Sequence, residues 1–184
     1  ALAARGSGQE EPLRSRQALA VVRAAVEVER AAAEPRLCVR RVHDKVFVAT
    51  DQAAIDLALK LGRQADTLAQ QDPLVPPPRV MEQLQALTAA APELALKERR
   101  LLRLAAAASS GAALSGKNEL YPRGMDAQRA LKLSLSGLYG VRELTVEQIQ
   151  ERVGSRYPAA EGVPARPALD ELLRAVGFDF PWSP

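Results

Sequence analysis

The stretch "GAALSGKN", residues 111–118, falls one residue short of the glycine-rich loop that cradles nucleotide phosphates, and Asn118 stands where a serine or threonine would hold magnesium. That chemistry needs a buried strand before the loop and a helix after it. Here a Leu/Ala run of helical spacing precedes and "NELYPRG" follows, so the segment reads as a polar connection between helices. "VFVATD" (46–51) has the look of an acidic, magnesium-binding strand end, but Asp51 is more simply the cap of the helix that follows. His43 and Asp44 lie in a turn with no nucleophile near them in sequence, which makes them turn residues rather than an acid/base pair. Cys38 is the sole cysteine and His43 the sole histidine, which rules out an internal disulfide and a Cys/His metal cluster. No catalytic constellation emerges. The expectation is a non-enzymatic chain with no cofactor.

Cations suited to binding are better represented. Arg36, Arg40, Arg41, His43 and Lys45 cluster along "RLCVRRVHDK", and a basic hairpin beside a helical core is how a wing reaches phosphates or a minor groove. Exposed strands also carry Arg and Lys to block edge pairing, and the residues alone admit both readings. Arg99, Arg100 and Arg103 form a second group on a helix, again either a nucleic-acid face or an ordinary solvated one. The net charge of +3 is unevenly spread: residues 1–72 carry 11 Lys/Arg against 10 Asp/Glu, residues 73–140 carry 9 against 5, and residues 141–184 carry 5 against 7. Phosphate binding follows local positive charge and not the total, and the basic hairpin and the arginines of the 93–108 helix are the candidates.

The elements that must position these residues are mostly helical. The 184 residues are 47% apolar but only 4% aromatic, a composition that favours helix over sheet. Leu19, Val22 and Val26 recur at helical spacing in a segment that must end by Pro35. Two β-branched runs, 36–42 and 45–50, flank "HD" and predict a β-hairpin. Asp51 then caps a helix whose stripe is Ala54, Leu57, Ala58, Leu61, Ala65 and Leu68. The stiff "QQDPLVPPPR" is the natural boundary, at 71–78, between an N-terminal module (1–72) and a C-terminal one (73–184).

Beyond the prolines, helices are expected from about Val80 to Leu87 and from about Glu93 to Ala108. Asp126 caps another, with Ala127, Leu131, Ser134 and Leu138 inward and Gly140 as its end. Thr145 and Gln148 form a capping box ahead of Val146, Ile149 and Val153. Pro167 opens a helix that buries Leu169, Leu172, Leu173 and Val176 and stops at Gly177, and "FDFPW" then alternates briefly like a strand. The fold expected is mainly α, a tandem of helix-turn-helix or winged-helix-like modules with one or two short β-hairpins. The last helix shows Arg166, Asp170, Glu171 and Arg174 outward. Two carboxylates there would repel DNA, so that module is expected to make protein contacts.

"ALAARGSGQEE" has no apolar core for a signal peptide or membrane span, so a cytoplasmic protein with no membrane contact is expected. The start at Ala1 without methionine suggests a piece of something larger.

The run from "ELYPRGM" to "GFDFPW", with its elements "LYPRGM", "LTVEQI", "RYP" and "RPALDELL", resembles the C-terminal, non-kinase part of PglW-like serine/threonine kinases of BREX bacteriophage-defence systems. It covers roughly the last third of the chain, and the region from "PPPRVMEQL" onward is compatible. The resemblance implies a bacterial origin and a place in a phage-defence machine. It implies no kinase activity here, because the glycine-rich loop, strand lysine, "HRD" and "DFG" elements are absent. The resulting expectation is an accessory module that binds other phage-defence proteins and, through the basic hairpin, DNA. The alternative is a structural or dimerisation domain that positions an attached kinase domain. The acidic C-terminal module and the apolar tail Phe178, Phe180 and Trp182, which must be covered by something, favour that alternative, and a homodimer is the assembly that goes with it.

Overall fold

The computed structural model describes residues 10–89, 96–138, 141, 143–178 and 181–182. Among these residues the chain is mainly α-helical, with seven helices and two antiparallel two-stranded sheets. It divides into two compact units, Ala1–Asp56 and Leu57–Pro184, and the proline-rich stretch 71–78 lies inside the second.

The first unit holds α1 (Glu10–Arg30), β1 (Cys38–Val42), β2 (Lys45–Ala49) and the first turn of α2 (Gln52–Ala69). Good helix formers and the Glu27–Arg30 pair suit α1 to water, and its apolar Leu19, Val21, Val22 and Val28 are all exposed. Beyond the helix, Glu29 fastens the chain. Its Oε1 accepts from the Arg36 backbone N–H at 2.6 Å and its Oε2 from Arg36 Nη2 at 3.1 Å. His43 makes the β1–β2 turn at φ 55°. Asp51 caps α2 as expected, its Oδ1 accepting from the Ala54 N–H at 2.8 Å.

The second unit has two apolar clusters. The first joins Leu61, Ala65 and Leu68 of α2 to Val80 and Leu84 of α3 (Pro77–Thr88) and to Leu101, Leu102 and Ala105 of α4 (Glu98–Ala108). Val75, from the proline-rich stretch, belongs to the same cluster, while Leu74 packs on the other. Gly62 lets α2 approach the end of α4, because a Cβ there would lie 2.5 Å from the Ala108 backbone. The expected α4 start at Glu93 lies outside the described residues. Leu96 and Lys97 are not helical, and the helix begins at Glu98.

A short hairpin, β3 (Ala112–Leu114) and β4 (Leu120–Pro122), leads to the second cluster. This is built by α5 (Ala127–Leu138), α6 (Val146–Arg156) and α7 (Ala168–Ala175) around Leu131, Ile149, Val153, Leu169 and Leu173. The predicted caps are made. Asp126 Oδ1 accepts from the Arg129 N–H at 2.7 Å, and both bonds of the Thr145/Gln148 capping box are present. Gly177, at φ 80°, ends α7: its N–H donates to Arg174 O and that of Phe178 to Leu173 O, a Schellman closure. Gly140, the expected end of α5, lies outside the described residues, as do Asp179 and Phe180 of the expected final strand; Pro181 and Trp182 are not in a strand. The connection between α6 and α7 runs over 157–167, longer than the turn of about three to four residues in a helix-turn-helix. Phe178 is buried in the second cluster, and Trp182 packs on it with the Arg166 guanidinium 4.3 Å above its ring. Phe178 is therefore covered within its own unit and Trp182 in part. None of the described helices is long and apolar enough to cross a membrane.

Candidate nucleic-acid interface

The register of β1 and β2 decides what the hairpin cations do. Directly opposed residues share a face, so Arg40 (opposite Phe47) and Lys45 (opposite Val42) lie on the side that carries the buried Val42. Arg41 (opposite Val46) lies on the other side with Val39 and Val48. Arg36 precedes β1 and is bound through its backbone and side chain to Glu29, which holds the Glu29 carboxyl below its usual range. Arg40 faces Asp56 at 3.8 Å, both about half exposed (52% and 53%). The basic hairpin is thus no single patch. Its cations are split between two faces, and Arg36 and Arg40 have carboxylate neighbours.

The second group is arranged differently. α4 buries Leu101, Leu102, Ala105 and Ala106, and Arg99, Arg100 and Arg103 are all exposed. Helical geometry puts the three guanidiniums within an arc of about 100°. Among the described residues none of them is in an ion pair. Glu98 is the one carboxylate on this helix and sits in its first turn, off that arc.

The "GAALSGKN" segment is β3, a tight turn and the approach to β4, with Asn118 in the turn at φ 61°. Its geometry is strand–turn–strand, and its leading amides are already occupied. Asp66 of α2 accepts at Oδ1 from Ser109 Oγ (2.6 Å), the Gly111 N–H (2.6 Å) and the Ala112 N–H (3.1 Å), and at Oδ2 from the Ser110 N–H and Oγ. Burial pushes the Asp66 carboxyl up, but these bonds outweigh it and hold the group below the ordinary aspartate range.

A second polar network ties the hairpin to the end of α6. Glu119 accepts from Ser115 Oγ (3.0 Å), Arg156 Nη2 (3.1 Å) and Tyr157 Oη (3.1 Å). Burial raises the Glu119 carboxyl, and these donors lower it further than that. Burial, then the Glu119 charge, pushes the Tyr157 hydroxyl up to about 12. The Tyr121 and Tyr157 rings meet edge-to-face at 5.0 Å, and the Ala159 N–H donates to Tyr121 Oη at 2.7 Å. "LYPRGM" and "RYP" are therefore two sides of one packed joint. Neither Asp66 nor Glu119 stands out in the sequence, since all of the Asp66 partners and, for Glu119, Arg156 and Tyr157 lie about 40 residues away.

Comparison with known proteins returns one part of a much longer protein. The chain is 33% identical over 219 aligned positions to the Streptomyces coelicolor protein named "Probable kinase PglW", an alignment that takes in 96% of this chain and 14% of that protein. The similarity reaches well beyond the last third. No family model and no solved structure matches the chain.

Proposed function

We propose that this chain is a non-enzymatic accessory module of a PglW-like anti-phage defence protein, which contacts partner proteins of that system and the phosphate backbone of DNA. The observation that carries the defence context is the 33% identity across nearly the whole chain. The DNA contact is argued from α4. Three exposed guanidiniums on one arc, with no described carboxylate partner, suit sequence-independent phosphate binding. The hairpin is the weaker candidate, because Arg36 and Arg40 have carboxylate neighbours and Arg41 lies on the opposite face from Arg40 and Lys45. At the start of α7, Arg166 just before the helix is paired with Asp170 at 3.0 Å and Glu171 is exposed, which favours protein contact there. The test is anisotropy of labelled duplex DNA across salt. Three phosphate contacts predict a log–log slope of about −3 and a Kd weaker than about 1 μM at physiological salt. No binding at low salt would restrict the module to protein partners.

A dimerisation domain is the second reading, and the exposed Leu19, Val22 and Val28 of α1 favour it. Sedimentation at increasing concentration tests it. This reading expects a dimer that Val22→Glu disperses, and a strict monomer at high concentration contradicts it.

A further inference from the structure

The second unit carries a cleft of about 580 Å³ where the β3–β4 turn meets the last turn of α5 and the C-terminal half of α6. Its size is that of a small-molecule site. Lys117, Arg152 and Arg156 line it against one carboxylate, that of Glu151. Two of these cations are already held by protein acceptors: Arg152 Nη1 donates to Gly137 O at 2.9 Å, and Arg156 Nη2 donates to Glu119 at 3.1 Å. Ser134, also in the lining, is only 4% exposed, and its Oγ has no hydrogen-bond partner; the same holds for Arg156 Nε. Both atoms lie sealed from solvent, so the case for a ligand rests on the cations that line the cleft.

We propose that this cleft binds a phosphoryl dianion, free or as the terminal group of a small phosphate monoester. Lysine and arginine offer only donors, which selects a ligand rich in acceptors, and with Glu151 in the lining and Glu119 paired to Arg156 one positive charge is left over, which selects an anion. The anchored guanidiniums are oriented before the ligand arrives, which lowers the ordering cost of binding. The cleft shares no residue with the α4 face, so this proposal stands apart from the DNA contact.

The test is an NMR amide titration of the 184-residue chain with inorganic phosphate and, separately, with adenosine monophosphate, each against sodium chloride at equal ionic strength. The expected result is saturable shifts centred on Gly116, Lys117, Arg152 and Arg156. Lys117→Ala, at an exposed turn position, is expected to weaken phosphate binding about tenfold with the spectrum otherwise intact. An α4 variant lacking Arg99, Arg100 and Arg103 is expected to leave it unchanged. Tighter binding of the nucleotide would show that the ligand is carried as a monoester, and equal affinities that the phosphoryl group alone is held. Shifts no larger than those from chloride, or shifts that Lys117→Ala leaves untouched, would overturn the proposal.

Discussion

At Asp66 five donors converge on one carboxylate, so a helix residue serves as the anchor of a loop more than 40 positions away. Asp66→Ala would leave the partly buried amides of Gly111 and Ala112 without that acceptor, at a cost of about 2 kcal/mol read from urea unfolding. The same geometry fixes a pH dependence. Asp66 and Glu119 both titrate below their ordinary values in the folded chain, so the stability they confer is complete above the unfolded carboxyl values of about 4. It is lost as pH falls through their lowered folded values. The thermal midpoint should hold between pH 7 and 5 and drop below about pH 4, with a shallower drop in Glu119→Gln relative to its own neutral value. Identical profiles for the variant and the parent chain would remove Glu119 as a source of acid lability.

At the level of elements, what was legible in the sequence was what is local. Asp51, Asp126, the Thr145/Gln148 pair and Gly177 announce helix ends because each bonds to backbone within a few residues of itself. The β1–β2 hairpin was also legible, from its β-branched runs, but not the division of its cations, which follows from the register. The β3–β4 hairpin has strands of three residues, too short for alternation to show, and it is held by Asp66 of α2 and, through its own Glu119, by Arg156 and Tyr157. The cleft was invisible for the same reason: Lys117, Ser134 and Arg152 belong to three separate elements or turns. Gly62 illustrates a packing demand that no local pattern reveals. Gly62→Ala would drive a methyl into the Ala108 backbone and is expected to cost about 2 kcal/mol, seen as a lower urea midpoint; an unchanged midpoint would mean that α2 and α4 can part without loss.

For the whole molecule, charge and apolar surface are distributed unequally. Among the described residues, the large exposed apolar side chains fall mainly in α1 and β2, and the second unit holds both extended cores. That pattern suits a module whose N-terminal part meets other protein while α4 presents cations. The most direct test of the account compares duplex DNA binding by three proteins at low and moderate salt: the parent chain, a variant with Arg99, Arg100 and Arg103 changed to alanine, and one with Arg40, Arg41 and Lys45 changed to alanine. The account predicts salt-sensitive binding that the α4 variant loses almost entirely and the hairpin variant largely keeps. Binding unaffected by the α4 changes would contradict it.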